Sequence, residues 1–310
     1  MNHKPKNMTN TDIVIIGAGP AGISAALYLA RANASFVWLE KAAPGGKLLN
    51  IHEVGNYPGI PNANGFDLAM SLLKSTESLG VSSTFGEVKN VHKEDGRFIV
   101  ATEEETYSAL AIIVATGLSN VPTIKGEKEL FGKGVSYCAT CDGPLYRGKT
   151  AVIYGKGFQA LEEAIYLQAL VGKLYLVTPE EEYQGEELML ESLLKNDNVT
   201  LLTNTKISKI LGENAVSSIE CEGKEGVFEI KTDVVFPLFG EKSASAFLSP
   251  LNLESNRGFI KADTNMASSC EGLFAAGDIV DKTLRQVVTA TSDGAIAATS
   301  AIQYVRKAKK

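Results

Sequence analysis

The chain has 310 residues, too many for one typical domain, and two domains are the natural expectation. Its 45% hydrophobic and 21% charged content is ordinary for a globular protein, and a formal net charge of -6 gives no general affinity for nucleic acid or an anionic membrane. The longest apolar runs, such as Ala109 to Ala115, are too short to span a bilayer, and the polar segment Met1 to Asn10 has no apolar signal core, so a cytoplasmic location is expected.

Thr11 to Ile16 is an apolar, β-branched run that ends in glycine and predicts a strand. Ala21 to Ala32, rich in Ala and Leu, predicts a helix, and Ser35 to Leu39 predicts a second buried strand closed by Glu40. Between the first two lies Gly17-Ala18-Gly19-Pro20-Ala21-Gly22, a dinucleotide fingerprint in its required β-α-β context. The first glycine makes the tight turn, the second admits a pyrophosphate to the backbone, and the third lets helix and strand pack closely. The helix N-terminus attracts the phosphates, and Glu40 stands where an acid binds ribose hydroxyls.

Further along, Tyr137-Cys138-Ala139-Thr140-Cys141-Asp142 places two thiols at C-x-x-C spacing with an acid behind them. Structural zinc needs about four ligands. The chain has 4 Cys and 3 His, and Cys221, Cys270, His3, His52 and His92 are scattered, with no second ligand pair. Redox chemistry is therefore favoured, because thiolate is the reactive form and C-x-x-C geometry lowers the thiol pKa. Asp142 can donate and accept the proton when a thiolate leaves or attacks; its other reading is a turn residue before Gly143-Pro144.

A second fingerprint follows, Gly155-Lys156-Gly157-Phe158-Gln159-Ala160. Laid on the first, it puts Gly157 on Gly19, Ala160 on Gly22, and the strand Lys173 to Val177 on Ser35 to Leu39. Glu40 falls on Thr178, so the ribose-binding acid has no counterpart. Near the C-terminus, Gly272 to Asp278 is a short apolar strand ending in a Gly277-Asp278 turn, and Arg285-Gln286-Val287 opens an Ala-rich helix from Val288 to Val305. Asp278 sits at a strand's carboxyl end, where α/β sheets bind ligands; a helix cap is its other reading.

Together these residues resemble the low-molecular-weight thioredoxin reductases, over roughly Thr11 to Tyr304. The carrying motifs are the first fingerprint, Pro-Gly-Gly-Lys-Leu at 44–48, Glu-Val-Gly-Asn-Tyr-Pro-Gly at 53–59, Ala-Thr-Gly at 115–117, Cys-Ala-Thr-Cys-Asp at 138–142, Ala275 to Asp278 and Arg285 to Val287. The resemblance implies an α/β fold of two Rossmann-like, three-layer dinucleotide-binding domains, the second inserted in the first. Residues 1–120 with 246–310 would bind FAD, and 121–245 would carry the dithiol, with Gly117 to Val121 and Phe239 to Ser245 as linkers. It further implies a homodimer in which Cys141 exchanges electrons with the flavin, Cys138 attacks the disulfide of thioredoxin or a thioredoxin-like protein, and Asp142 is the acid. Gly17, Gly19, Pro20, Ala21, Gly22, Glu40, Gly46, Lys47, Leu48, Val88, Ala115, Thr116, Gly117 and Gly277 would hold the cofactor. Asn56 and Arg285, Gln286 and Val287 would contact the flavin ring region, and Asp278 the ribityl chain.

The sequence departs from that family in its second site. NADPH-dependent members carry His-Arg-Arg-x-x-x-Arg after the second strand of the inserted domain, where this chain has Thr178-Pro179-Glu180-Glu181-Glu182-Tyr183-Gln184. A carboxylate close to a phosphate costs up to ~4 kcal/mol, less after screening. Glu180 to Glu182 read otherwise as a solvated acidic loop, but the cations are missing under either reading. Tyr154, Phe158 and Tyr183 are expected to fill the old nicotinamide cavity. The chain thus resembles the branch that ignores pyridine nucleotides and takes electrons from reduced ferredoxin. NADH preference is the alternative, and a non-enzymatic FAD/dithiol sensor a further one. The tail Arg306-Lys307-Ala308-Lys309-Lys310 reads as a basic patch for ferredoxin or as a frayed terminus.

Overall fold

The computed structural model describes residues 8–51, 54–60, 63–120, 123–239, 241–256 and 258–310, and leaves out the side chains of Asn120, Cys141, Gln159, Glu241 and Lys242. His3, His52, Glu53, Val121 and the side chain of Cys141, all singled out above, lie outside what is described. The chain divides into two compact units, one running to Ser119 and resuming at Lys242–Lys310, the other Asn120–Glu241. The sequence reading put these crossings after 120 and 245.

The first unit opens with β1 (Met8–Ile16), α1 (Pro20–Arg31) and β2 (Phe36–Glu40). The strand starts earlier than its apolar run because Met8 to Asn10 pair with Thr106 to Ser108. Pro20 at the first helical position and Arg31 in the last turn suit the helix ends. There follow α2 (Gly65–Glu77), β3 (Thr84–Phe85), β4 (Asn90–Glu94), β5 (Arg97–Ala101), β6 (Thr106–Val114) and the crossing strand β7 (Leu118–Asn120).

The second unit contains α3 (Ala139–Asp142), β8 (Thr150–Tyr154), α4 (Gly157–Gln168), β9 (Lys173–Val177), α5 (Glu187–Leu194) and β10 (Val199–Leu202). A meander β11 (Lys206–Leu211), β12 (Ser218–Gly223), β13 (Gly226–Lys231) and the strand β14 (Val234–Pro237) complete it. Its parallel sheet has the order β10-β9-β8-β14. Alternation along each strand splits the core in two. Val152, Tyr154, Val177 and Val235 face the meander's Ile207, Ile219, Cys221 and Ile230. Ala151, Ile153, Leu176 and Phe236 face Ala160, Leu161, Ala164 and Leu167 of α4. Helix, sheet and meander are the three layers.

The chain returns through β15 (Glu241–Ser243), which pairs with β7, then β16 (Ser255–Asn256), β17 (Phe259–Ile260), β18 (Leu273–Ala275) and α6 (Val287–Ala308). The larger sheet runs β3-β2-β1-β6-β5-β4, with β18 also on β6. Here Ile13, Ile15, Ala111 and Ile113 pack beneath α1 and α6, while Val14, Ile16, Ile112 and Val114 point to the other face. Gly294 lets the two helices touch, since a Cβ there would lie 2.1 Å from the carbonyl of Ala21. The Ala-rich helix runs three residues past Val305, and Lys309 pairs with Asp12 at 2.6 Å. The basic tail is thus helical as far as Ala308, with Lys309 paired to Asp12. Among the described residues no helix is long and apolar enough to cross a membrane.

Candidate functional site

The carboxyl ends of β1, β6 and β18 bring the first fingerprint, Ala115 and Gly277 together. Gly17 lies at φ +106, and a Cβ there would be 2.4 Å from the carbonyl oxygen of Ala115. A Cβ on Gly22 would be 1.9 Å from the carbonyl oxygen of Gly17, so the turn closes directly on α1. Gly277, at φ +81, sits against Ala21, whose Cβ would be 2.9 Å away. Gly19 differs from its neighbours: a Cβ there would meet nothing within 4 Å. Open space thus lies at the N-terminus of α1, whose first turn holds no acidic residue. An anionic group fits there by dipole and by backbone N–H supply.

The rest of the cradle is fastened to that turn. Gly45 donates its N–H to the Ala18 carbonyl at 2.7 Å, and Gly46, at φ +60, lies beside Gly19. Lys47 and Leu48 follow in the single helical turn Gly46–Asn50, with Leu48 buried. Glu40 accepts the N–H of Ala18 at 2.6 Å and of Ala42 at 2.8 Å. Each carboxylate oxygen retains acceptor capacity for a ribose hydroxyl. Val88 is buried on the other face of the sheet.

Asn56 and Gln286, far apart in sequence, meet at 2.9 Å. Gln286 also caps α6 in a reciprocal box with Thr289, and Val287 packs on the cluster holding Leu48 and Val54. Arg285 bonds the carbonyls of Asp278 and Val280 at 3.1 Å each and lies 4.1 Å over the Phe259 ring. Its guanidinium therefore braces the turn carrying Asp278. Thr116 donates to the carbonyl of Ala244 at 2.8 Å, beside Gly117 at φ +61. Asp293 was not singled out from sequence. It is buried, accepts the N–H of Gly277 at 3.0 Å and pairs with Lys282 at 2.6 Å. Its signal was available: an acid on the Ala290–Ala297 face of an otherwise apolar helix stripe.

In the second unit Cys138 is disulfide-bonded and Cys221 is free; Cys270, in the first unit, is free as well. The Sγ of Cys138 lies 3.2 Å from Thr140 Oγ1, and its N–H donates to Ser136 Oγ at 3.1 Å. Asp142 closes α3 by donating its N–H to the Cys138 carbonyl at 3.2 Å. The neighbouring Tyr146 hydroxyl is held above its ordinary pKa by burial and then by the Asp142 charge. Among the described residues no three His, Cys, Asp or Glu side chains form a group that could hold a metal.

The second glycine loop is engaged by its own chain. Gly157, at φ +79, donates its N–H to the Gln184 carbonyl at 2.5 Å, and the Tyr183 hydroxyl reaches the Gly157 carbonyl at 3.4 Å. Lys156 is paired with Glu180 at 2.6 Å. Tyr154 and Tyr183, expected to fill one cavity with Phe158, lie in different cores. Tyr154 turns into the meander-facing core and meets Phe239 at 4.7 Å, while Tyr183 packs in the α4-facing core. Strand alternation sends Tyr154 to the face opposite Ile153, and the backbone of 183–184 covers the loop instead.

Comparison with known proteins agrees with this architecture. The family described as pyridine nucleotide-disulphide oxidoreductase matches residues 11–294. A thioredoxin reductase of Bacillus subtilis (strain 168) is 37% identical over 302 residues, covering 96% of this chain and 95% of its own. Among solved structures, the thioredoxin reductase of Lactococcus lactis superposes with a TM-score of 0.91 at 32% identity, covering 96% of this chain and 99% of its own. A ferredoxin-flavin thioredoxin reductase from Clostridium acetobutylicum is 34% identical, with a TM-score of 0.56 over 97% of this chain and 99% of its own.

Proposed function

The chain belongs to the pyridine nucleotide-disulphide oxidoreductase family, and from that premise we propose that it reduces the disulfide of thioredoxin, or of a thioredoxin-like protein, with reduced ferredoxin as its electron source. The first fingerprint, Gly46, Lys47, Glu40, Gly117 and Asp278 would hold FAD, which when bound would supply the electron pair. The Cys138/Cys141 disulfide takes up two electrons and two protons and becomes two thiols. Cys138 then attacks the partner's disulfide as a thiolate and forms a mixed disulfide. Attack by Cys141 restores the internal disulfide and releases the partner as a dithiol, with Asp142 giving the proton to the leaving sulfur. The protein is proposed to act in the cytoplasm as a homodimer; light scattering that gives the mass of a single 33.0 kDa chain at micromolar concentration would refute the dimer.

The donor reading rests chiefly on the hydrogen bond from Gly157 to Gln184. A pyrophosphate approaches a Rossmann turn closely at its second glycine, and here an internal carbonyl already takes the N–H of that residue. The acids that follow Thr178 and the absence of Arg or His from residues 178–184 point the same way. The likeness to the Clostridium acetobutylicum ferredoxin-flavin enzyme supports this reading. Stopped-flow bleaching of the flavin decides it. Reduced ferredoxin is expected to bleach it rapidly, and NADPH and NADH slowly or not at all. Rapid bleaching by micromolar NADPH would sink the donor reading. Faster bleaching by NADH than by either other donor would favour an open site that has lost only its phosphate contacts.

A further inference from the structure

We infer that Glu127 and Glu163 are positioning residues for Cys138, each fixing one of its two chain neighbours. The inference rests on the redox role proposed above for Cys138. Glu127 is 0% exposed. Its Oε2 accepts the N–H groups of Thr123 and Ile124 at 2.8 Å each, and its Oε1 accepts the Tyr137 hydroxyl at 2.7 Å. A buried carboxylate persists only where such donors replace water, and bonds to an ionised acceptor are the strong ones. Thr123 and Ile124 lie just inside the point where the chain enters this unit, and Tyr137 immediately precedes Cys138. One carboxylate thus ties the entry segment to the flank of the dithiol.

The Tyr137 ring stacks on Phe131 with centroids 5.3 Å apart. Phenylalanine at this position would keep that stack and remove the hydroxyl's bond to Glu127. Burial, and then Glu127 itself, hold this hydroxyl well above the ordinary tyrosine pKa, so it stays protonated and keeps donating. On the other side of Cys138, the N–H of Ala139 donates to Oε2 of Glu163 at 2.8 Å. Glu163 stands on α4, which Ala160, Leu161, Ala164 and Leu167 anchor in the core. Residues 137 and 139 are therefore both held by carboxylates from well-packed parts of the unit. Thiol–disulfide exchange depends on which sulfur is presented and at what angle, and a displacement of about 1 Å can cost a hundredfold in rate. Neither glutamate need touch a reacting atom to matter.

The test uses the full-length, FAD-loaded protein, chemically reduced viologen as the electron source, and thioredoxin disulfide as acceptor. Tyr137→Phe and Glu163→Ala are each expected to lower kcat by roughly tenfold to a hundredfold, with KM for thioredoxin within about twofold and circular dichroism unchanged. Glu163→Gln, which keeps an acceptor oxygen for Ala139, is expected to restore most of the loss. Glu127→Gln places an amide where three donors converge and risks misfolding, so Tyr137→Phe carries that arm. Unchanged kcat in both Tyr137→Phe and Glu163→Ala overturns the inference, as does a fall matched by lost ellipticity, a KM rising in step, or no rescue by glutamine. Reductive titration separates this from failure of the underlying reading. Wild-type protein that takes up one electron pair rather than two removes the redox disulfide, and this inference with it. Uptake of two pairs with unaltered variants overturns this inference alone.

Discussion

Glu40 accepts the backbone N–H of Ala18 at 2.6 Å and thereby fastens the end of β2 to the first glycine turn. Its other oxygen takes the N–H of Ala42 at 2.8 Å, so the carboxylate is already oriented before any ribose arrives. Hydrogen bonds to a charged acceptor contribute about 1.5–3 kcal/mol. Glu40→Ala is therefore expected to weaken FAD retention by roughly tenfold to a hundredfold, measured by flavin fluorescence on dialysis. Glu40→Gln, which keeps one acceptor oxygen, should lose less. Wild-type affinity in the alanine variant would remove Glu40 from the site.

Gly19 and Gly22 should respond to a side chain in opposite ways. Gly19 has φ -75 and ψ -177, a conformation any residue adopts, and its missing Cβ points into open space. Gly19→Val should fold with a normal circular dichroism spectrum yet bind no flavin, because the branched side chain stands where the pyrophosphate would approach. Gly22→Ala would press a Cβ to 1.9 Å from the Gly17 carbonyl, so it should fail to accumulate as folded protein. A yellow Gly19→Val preparation would contradict the proposed site.

The two dithiol positions are expected to separate cleanly. Cys141→Ser should stop electron transfer from flavin to the dithiol. Cys138→Ser should leave the flavin reducible but trap no mixed disulfide with thioredoxin on a non-reducing gel. Full thioredoxin turnover by Cys138→Ser would reverse the assignment.

Stability should carry an alkaline slope from Cys221. Burial first, and Glu220 second, push this thiol up to about 11. In the unfolded chain it titrates near about 8.5. The unfolded state thus loses its proton first, so the contribution is complete below that value and is lost as pH rises toward 11. The slope is about 1.4 kcal/mol per pH unit at most. Urea titrations from pH 8 to 10.5 should show a shallower fall for Cys221→Ala than for wild type. Parallel curves would show that this thiol ionises without penalty in the fold.

The first β-α-β unit was legible in the sequence because its determinants are local: an apolar run, a glycine turn, an Ala-rich helix and an acid at fixed spacing. The register between the two fingerprints likewise placed β9 at Lys173–Val177. The C-x-x-C pair was visible in the sequence, and the structure shows Cys138 disulfide-bonded. What the sequence could not supply was direction. It showed that residues 178–184 lack cations, but not that Gln184 bends back to take the N–H of Gly157.

Tyr154 and Tyr183 looked like partners in one cavity, whereas the pleat sent Tyr154 into the meander-facing core and the loop after β9 carried Tyr183 into the α4-facing core. Glu127 closes a local turn on Thr123 and Ile124, but its reach to Tyr137, like that of Glu163 to Ala139, is set only once the turn or helix has been placed. Asn56 meeting Gln286 is a contact of the same kind. Periodicity and turn chemistry act over a few residues, so the sequence by itself determined the elements and the first glycine turn. Which carboxylate reaches which N–H depends on how those elements pack, and that was decided by the tertiary structure.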